Sequence, residues 1–507
     1  MEAKDHSQSY ILTIDQGTTS SRVLLINHDL KVLDIEAREH QQISQHPGWN
    51  EHDPEAIYSN VVICLEEIAK RNNLNASNIA AIGITNQRET IVAFDRETGK
   101  ALNNAIVWND KRTSGVVKEL VERNGGNVDV YRETCGLPIN TYFSAVKMRW
   151  LLENVPAIHK SHEEGKVIFG TIDAWLIYRL TNGKQILTDS SNASRTMLMD
   201  INSLEWSDKM LKEFGIKKEC LPDIKLSSSD DYGVVESVHS LEGVPITGVI
   251  GDQQAACLGH ILKPNEVKNT YGTGCFILNN VGTKPVQSKY GLLTTLCYSL
   301  GADQTFYALE GAVEVAGSAI KWAQSVGMLG SVKELENLCY TVEDNGDVYF
   351  VPAFNGIFSP YWRDDARALM IGMSLNTTKG HIARAILEAP CLRTAEVIQA
   401  MEKDSGLKIS KMSVDGGMSV NGYVLQSQAD FIGGGVQIER KKESEITGIG
   451  AAIAAGLKVG YWKDLKEVES KVQIDKVFTP QLDESLRESK LARWEQAVQR
   501  SIGFGWQ

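Results

Sequence analysis

Short apolar runs separated by polar residues dominate the start of the chain. Three such runs, close together, predict an antiparallel meander of strands: 10–14, 22–26 and 31–35. Asp53 and Pro54 then precede apolar residues at helical spacing over 57–68, so we predict a helix that Asp53 caps. A further apolar run over 79–84 predicts another strand. Together these elements form a compact α/β unit.

The same order of elements recurs in the second half. Residues 268–280 predict a strand, a Gly-Thr-Gly turn and a second strand, and further strand-like runs and a helix follow. Sequence identity between the halves is negligible, but a repeated order of elements is itself a signal of duplication. We therefore predict an α/β protein with two similar domains, 1–259 and 260–507, and a ligand cleft between them.

Pro390 interrupts an otherwise continuous helical pattern in the second half, over residues 381–401. Proline removes one helical hydrogen bond and crowds the preceding turn. The sequence therefore predicts either a kinked helix or two helices at this point.

Composition and charge exclude several classes of function. The 507 residues are 42% hydrophobic and 23% charged, as in globular proteins, and the net charge is −12. An acidic chain lacks the basic field that attracts nucleic acid or anionic membranes. The eight cysteines form no CxxC pair, which indicates reduced, buried thiols. With no apolar signal core and no run of about 20 apolar residues, we expect a cytoplasmic protein without a membrane span.

The common nucleotide and metal motifs are absent. The sequence contains no GxxxxGK[ST], no GxGxxG after a strand and no HExxH. Four loops rich in Gly, Thr, Ser and Asp instead follow predicted strands: 15–22, 251–254, 270–276 and 415–421. Loops at strand ends often carry function.

The first of these loops, DQGTTSSR, has the chemistry of a phosphate-binding turn. The backbone amides of Gly17, Thr18 and Thr19 and the neighbouring hydroxyls are suited to an anion. Asp15 would repel a phosphate unless a cation lay between them, which implies Mg²⁺. The alternative is an ordinary hairpin with a polar tip.

Two further groups of residues are suited to acting as a base and to binding a polyol. Asp252 begins a Gly-Asp-Gln-Gln turn, where it can act as a base or simply cap a helix. Arg88 and Glu89 can donate to and accept from polyol hydroxyls, or can form a surface ion pair.

Three aromatic residues and one glycine-rich turn also allow both a functional and a purely structural interpretation. Trp108, Tyr142 and Phe276 can wall a carbon chain or can belong to the core. Asp415-Gly416-Gly417 allows close approach of an adenine or ribose, or is only a tight turn.

Nine segments, in order over roughly 10–470, resemble the glycerol kinases of the FGGY family of carbohydrate kinases. They are DQGTTSSR (15–22), TNQRET (85–90), YFSAVKMRWLLEN (142–154), SNASRTML (191–198), GDQQAA (251–256), NTYGTGCF (269–276), ALEGAV (308–313), PYW (360–362) and DGG (415–417). The resemblance implies two ribonuclease-H-like domains of the actin/hexokinase/Hsp70 ATPase type around an ATP cleft. It also implies ATP-dependent phosphorylation of glycerol to sn-glycerol 3-phosphate, with Mg²⁺, by a homodimer or homotetramer.

The resemblance also implies roles for individual residues. Asp252 would be the general base, and Asp15 would lie near Mg²⁺. The glycerol pocket would be lined by Arg88, Glu89, Trp108, Tyr142, Asp252, Gln253 and Phe276. The nucleotide would contact Thr18, Thr19, Ser20, Arg22, Thr273, Gly317, Lys321, Gly417 and Asn421. Lys321 and Asn376 depart from the family pattern, which has glutamine and glycine there.

Two alternatives remain open. A kinase of the same family acting on another polyol or a ketose would share most of these motifs, although Arg88-Glu89 and Phe276 favour a three-carbon acceptor. An actin-like filament or a nucleotide-dependent regulator would share the fold, although an intact polyol pocket with Asp252 argues against it.

Overall fold

Two large β-sheets organise the protein, whose structure is a computed structural model that describes residues 9–505, apart from the side chains of residues 332 and 333. The strands of the first half are β1 (Tyr10–Gln16), β2 (Ser20–Ile26), β3 (Val32–Glu39), β4 (Glu51–His52), β5 (Ile79–Asn86), β6 (Ile91–Asp95), β7 (Ala105–Ile106), β8 (Val167–Thr171), β9 (Leu187–Asp189), β10 (Asp223–Lys225) and β11 (Ile246–Gly251). Its α-helices are α1 (Pro54–Arg71), α2 (Ser114–Arg123), α3 (Arg132–Cys135), α4 (Ser144–Asn154), α5 (Pro156–Glu163), α6 (Ile172–Leu180), α7 (Ser190–Ala193), α8 (Asp208–Phe214) and α9 (Asp252–Gly259).

The second half continues with its own strands and helices. Its strands are β12 (Glu266–Tyr271), β13 (Cys275–Gly282), β14 (Leu293–Ser299), β15 (Thr305–Val313), β16 (Tyr349–Val351), β17 (Leu369–Ile371), β18 (Lys411–Asp415), β19 (Gln437–Lys441) and β20 (Ile474–Phe478). Its α-helices are α10 (Gly317–Ser325), α11 (Val332–Cys339), α12 (Lys379–Ser405), α13 (Gly422–Ile432), α14 (Ile446–Lys458), α15 (Leu465–Lys471) and α16 (Glu484–Ser501). Short 3-10 helices lie at Lys218–Cys220, His239–Leu241, Ala302–Gln304 and Gly417–Val420.

The two sheets share one topology. The first has the order β3-β2-β1-β5-β11, and the second contains the equivalent order β15-β13-β12-β18-β19, extended by β14 and β20 at its edges. In each sheet three antiparallel strands are followed by two parallel ones. This is the ribonuclease-H-like arrangement, so the predicted fold class and the predicted duplication are confirmed. The predicted hairpins β1–β2 and β12–β13 occupy equivalent places.

Local signals near the start of the chain were reliable. Helix α1 begins at Pro54, and the carboxylate of Asp53 accepts a hydrogen bond from the Glu55 amide at 2.9 Å. The apolar face of α1 is buried, including Ile57, Val61 and Leu65. The predicted capped helix is therefore confirmed.

Helix α14 belongs by sequence to the second half but packs on the first sheet and on α9. Close approach requires glycine at both surfaces, because an added Cβ would meet backbone atoms. It would lie 2.4 Å from Ala451 O at Gly83, 2.5 Å from Ala455 N at Gly248, 2.3 Å from Ile446 O at Gly259 and 1.8 Å from Ala255 O at Gly450. The predicted division of the chain after residue 259 stays a prediction.

Pro390 lies inside a single helix. Helix α12 runs unbroken from Lys379 to Ser405, so the division into two helices does not occur. Residues on both sides of Pro390 are buried in the core, and this packing outweighs the missing backbone hydrogen bond. The alternative, a kink, stays a prediction.

The cysteines agree with the expectation from the sequence. All eight are buried and none forms a disulfide. Within residues 9–505, no helix is long and apolar enough to cross a membrane.

Candidate functional site

The predicted site residues of the first half meet at one edge of the first sheet. Strands β1, β5 and β11 are parallel neighbours, so their carboxyl ends lie side by side. Asp15 lies at the end of β1, Arg88 follows β5 and Asp252 follows β11. The sheet therefore brings together side chains that are far apart in the sequence.

Arg88 is buried and forms ion pairs with three carboxylates. Its Nη1 and Nη2 donate to the two carboxylate oxygens of Glu310 at 2.6 and 2.9 Å. Its Nε lies 3.4 Å from Oδ1 of Asp252 and 4.0 Å from Oε1 of Glu89. The side chains of Arg88 and Glu89 are each only 2% exposed, so the surface ion pair considered from the sequence is excluded.

Glu89 is held by a second buried arginine. Nε of Arg195 donates to Oε1 of Glu89 at 2.6 Å, and its Nη2 donates to Oε1 of Glu310 at 3.1 Å. Burial raises the pKa of Glu89, and Arg195 and Arg88 oppose this rise. For Glu310 the same two arginines outweigh burial and lower the pKa to about 2. The two glutamates and two arginines form a buried network of close pairs, named here the acceptor network.

Asp252 is the most accessible acid of the group, with a side chain that is 28% exposed. It is the first residue of α9, whose cap is Gly251, so the capping position considered for Asp252 is wrong by one residue. Its Oδ1 still accepts from the Gln253 amide at 2.7 Å. Burial raises the pKa of Asp252, while Arg88 and Lys268 lower it. A partly exposed carboxylate with a raised pKa is a candidate general base.

Gln253 is tied to a buried lysine of the second half. Its Oε1 accepts from Nζ of Lys268, which also donates to Oγ1 of Thr270 at 2.9 Å. Burial lowers the pKa of Lys268, and Asp415 opposes this effect. The Gln253 side chain is thereby fixed between the two halves.

The three aromatic residues lie together in one group, named here the aromatic wall. The ring centroids of Trp108 and Tyr142 are 5.5 Å apart, and those of Trp108 and Phe276 are 6.2 Å apart. Phe276 belongs to β13 of the second sheet, so the wall spans both halves. Burial raises the pKa of the Tyr142 hydroxyl, which keeps it protonated and able to donate.

The first hairpin turns between β1 and β2. The Gly17 amide donates to Ser20 O at 2.9 Å, and Thr19 at the tip is exposed. The Thr18 hydroxyl accepts from Nε1 of Trp108 at 3.0 Å, which joins this turn to the aromatic wall. The hairpin and the acceptor residues are therefore neighbours.

Asp15 and Arg22 face each other across the base of this hairpin. Nη2 of Arg22 lies 2.5 Å from Oδ2 of Asp15, and its Nη1 donates to Oε2 of Glu445 at 2.8 Å. Burial raises the pKa of Asp15, and Arg22 opposes it. Arg22 remains 34% exposed, so its guanidinium is accessible to an anion even though two carboxylates hold it.

The second hairpin meets the start of α10. The Thr273 carbonyl accepts from the amides of Ala316 and Ser318 at 2.8 and 3.1 Å, and the exposed Thr273 lies at the tip. A Cβ at Gly317 would lie 2.7 Å from Gly272 O, so only glycine fits there. Lys321 is exposed one turn further along α10.

The turn after β18 lies beside this second hairpin. Gly416 has φ +88°, and a Cβ there would lie 2.5 Å from Tyr271 O. The space around Gly417 is open, whereas Asn421 caps α13 by accepting from the Val424 amide at 3.1 Å. Asp415 is buried and lies 2.7 Å from Nε2 of His260. Thr273, Gly317 and Gly417 thus lie on adjoining segments.

Residues 9–505 contain no cluster of three or more His, Cys, Asp or Glu side chains that could hold a metal ion. Mg²⁺ usually binds one or two carboxylates together with substrate phosphates and water. Asp15 fits such a site, because the hairpin beside it carries the hydroxyls of Thr18, Thr19 and Ser20. The Gly17 amide, which the sequence suggested for an anion, instead donates within the hairpin to Ser20 O.

Three charged residues of the site had no predicted role. Glu310 and Arg195 lie in the quoted segments ALEGAV and SNASRTML, and Lys268 precedes NTYGTGCF, but none received a role. Glu310 is a single acid within the otherwise uncharged strand β15, and Lys268 is a fully buried lysine in β12. A charge in a buried strand is the signal that would have pointed to Glu310 and Lys268, whereas Arg195 follows helix α7 and carries no such signal.

Comparison with known proteins agrees with this geometry. Residues 10–259 match the family model for the N-terminal domain of the FGGY family of carbohydrate kinases, and residues 267–459 match the model for its C-terminal domain.

Curated relatives and a solved structure cover nearly the whole chain. The chain is 46% identical to a glycerol kinase of Clavibacter michiganensis subsp. michiganensis, over 99% of each chain. It is also 46% identical to a glycerol kinase of Chloroflexus aggregans, over 98% of this chain and 99% of that one. The crystal structure of Plasmodium falciparum glycerol kinase with ADP is similar with a TM-score of 0.91 at 40% identity, over 97% of this chain and 98% of that chain. Since two family models span most of the chain, it belongs to the FGGY family of carbohydrate kinases.

Proposed function

We propose that this kinase transfers the γ-phosphoryl group of ATP to the 3-hydroxyl of glycerol, which yields sn-glycerol 3-phosphate and ADP. One observation carries the proposal: Arg88, Glu89 and Asp252 converge beside an aromatic wall, next to a hairpin suited to phosphate. The names of its relatives, glycerol kinases at 46% identity, support the same acceptor.

The acceptor pocket combines polar and apolar surfaces. Arg88 and Glu89 offer a donor and an acceptor for adjacent hydroxyls, with Gln253 and Tyr142 as further partners. Trp108 and Phe276 would contact the carbon chain, because aromatic faces pack well against CH groups. Such a pocket selects a short polyol by hydrogen bonds and by width together.

Asp252 is proposed as the general base. Its carboxylate accepts the proton of the glycerol 3-hydroxyl while that oxygen attacks the γ-phosphorus in line. The Nε of Arg88, 3.4 Å from Oδ1 of Asp252, helps to keep the carboxylate ionised and oriented. Burial raises the pKa of Asp252, which makes its carboxylate a stronger base than that of an ordinary aspartate.

The two hairpins are proposed to bind the nucleotide. Thr18, Thr19, Ser20 and Arg22 would contact phosphate from the first half. Thr273, Gly317, Lys321, Gly417 and Asn421 would contact the nucleotide from the second half. Asp15 would hold Mg²⁺, which supplies neutralisation of the phosphate charge when bound. Closure of the halves over the site would exclude water and protect ATP from hydrolysis.

A coupled assay of ADP formation across a panel of polyols and ketoses tests the proposed activity. We expect ATP consumption to require an added acceptor, and glycerol to give the highest kcat/KM. A four- or five-carbon polyol or a ketose that exceeded glycerol would assign the enzyme to another acceptor. ATP hydrolysis that was unaffected by any acceptor would favour a nucleotide-dependent regulator.

Arg88→Ala tests the acceptor site separately from the nucleotide site. We expect kcat/KM for glycerol to fall roughly 100-fold, since a charged hydrogen-bonding partner is lost. The Kd for ATP should stay within about 2-fold, because the proposed phosphate contacts lie on the hairpins. Steady-state kinetics measures kcat/KM for glycerol, and titration calorimetry with glycerol and with ATP measures the two affinities.

Arg71→Ala is the matched control for Arg88→Ala. Arg71→Ala removes an exposed arginine that also pairs with two carboxylates, Asp34 and Glu36, and it should change neither constant. Unchanged glycerol affinity in Arg88→Ala would remove Arg88 from the acceptor site.

The proposed compartment is the cytoplasm and the proposed assembly is a homodimer or homotetramer. Both remain predictions from the sequence and its resemblance.

A further inference from the structure

Glu310 lies in the second sheet, but its side chain reaches into the first half of the molecule. It is carried by β15, and its side chain is fully buried. Every other residue of β15 is uncharged. No other residue of β15 can therefore form an ion pair with Glu310.

The partners of Glu310 are the two arginines of the acceptor network. Oε2 accepts from Nη1 of Arg88 at 2.6 Å, while Oε1 accepts from Nη2 of Arg88 at 2.9 Å and from Nη2 of Arg195 at 3.1 Å. The paired contact with Arg88 is a two-point fork, which fixes the plane of a guanidinium as well as its position. One carboxylate thus orients two cations that lie on the other side of the interface.

The orientation of Arg88 determines which of its atoms face Asp252. Because Glu310 occupies both terminal nitrogens, the edge nearest to Asp252 is Nε, at 3.4 Å. Arg195 in turn holds Glu89 through its own Nε at 2.6 Å. Glu310 therefore contacts Arg88 directly and is connected to Glu89 through Arg195, so it supports both proposed acceptor-binding residues.

A buried ion network of this kind is weak as a source of stability. The desolvation of four charged groups offsets most of the attraction between them, whereas removal of one partner leaves an uncompensated charge. Arg195 shows this desolvation cost directly, because its Nη1 is buried without a hydrogen-bond partner among residues 9–505. A network that contributes little net stability but sets geometry points to a role in the site.

We propose that Glu310 is a positioning residue of the acceptor site, which holds Arg88 directly and Glu89 through Arg195 from the opposite half of the molecule. This inference rests on the proposed function of the same site. It adds that glycerol recognition depends on the register between the two halves, since the second sheet orients the residues of the first.

Glu310→Gln tests the proposal in the full-length enzyme. Glutamine has the same size but cannot accept at both oxygens, so the fork to Arg88 is broken. We expect kcat/KM for glycerol to fall roughly 100-fold through a rise in KM and a loss of glycerol affinity by calorimetry. The KM for ATP should remain within about 2-fold, a split that a general loss of structure would not produce.

Two further variants provide the comparison. Ser228→Ala removes a different buried contact between the halves, from Ser228 Oγ to Ala454 O at 2.8 Å, which involves no residue of the acceptor network. It should keep the glycerol KM of the parent enzyme. Glu310→Asp keeps the charge but is one methylene too short to reach both arginines, so it should show the same split as Glu310→Gln.

These measurements distinguish failure of the proposed function from failure of the positioning role of Glu310. A parent enzyme that is inactive on glycerol would overturn the proposed function. An active parent with an unchanged glycerol KM in Glu310→Gln, or with equal losses for glycerol and ATP, would overturn the positioning role alone. If Glu310→Gln is insoluble, Glu310→Asp is judged by the same criteria, and failure of both to fold would show that Glu310 serves the fold instead.

Discussion

Asp252→Asn is expected to lower glycerol-dependent turnover by roughly 10²–10⁴-fold, the usual contribution of a general base. The amide keeps the size of the side chain and its place at the start of α9, but it cannot accept a proton from the attacking hydroxyl. Glycerol and ATP should still bind, because Arg88 and the two hairpins are untouched. Steady-state kinetics together with binding measurements separate these effects.

The pH profile gives a second measurement for the same variant. In the parent enzyme kcat/KM should fall on the acid side as Asp252 is protonated, with an apparent pKa above the ordinary aspartate value because burial raises it. This acid limb should disappear in Asp252→Asn. Asp208→Asn is a suitable control, since Asp208 is likewise the first residue of a helix but is exposed. Turnover of Asp252→Asn near that of the parent would exclude the role of base.

Gly450→Ala is expected to lower the free energy of unfolding by about 3 kcal/mol, at the upper end for an overpacked core. The new Cβ would lie 1.8 Å from the carbonyl oxygen of Ala255, a backbone atom that cannot move without shifting α9. Because α9 begins with Asp252, activity should fall with stability. Thermal unfolding should show a midpoint lowered by about 3–6 °C.

Gly115→Ala is the matched control for this change. Gly115 also lies inside a helix, α2, but an added Cβ meets nothing within 4 Å. Alanine there should stabilise the protein by about 0.5–1 kcal/mol through its helix propensity. If Gly450→Ala behaved like Gly115→Ala, the close packing of α14 on α9 would not hold in solution.

Features set by neighbouring residues were predictable from the sequence. The two hairpins, the cap at Asp53 and the order of elements in each half follow from glycine placement, capping chemistry and hydrophobic spacing. The repeat was visible in that order even though the halves share no recognisable sequence. The carboxyl ends of parallel strands then explain why Asp15, Arg88 and Asp252 meet.

Features set by distant partners were not predictable in the same way. Arg88 and Glu310 are 222 positions apart, so nothing local distinguishes a buried fork from a surface pair. The uninterrupted helix through Pro390 likewise depends on its buried surroundings and not on propensity. For Thr18 the sequence pointed to phosphate chemistry, but its link to Trp108 required the fold.

The placement of α14 has a consequence for synthesis on the ribosome. The five strands of the first sheet are complete at Gly251, yet the helix that packs against β5 and β11 begins only at Ile446. At about 5–20 residues per second, this face of the nascent sheet stays uncovered for on the order of 10–40 s. We expect chaperones to bind this apolar sheet face while it stays exposed. The first half is therefore expected to be released as a finished unit only after nearly the whole chain has emerged.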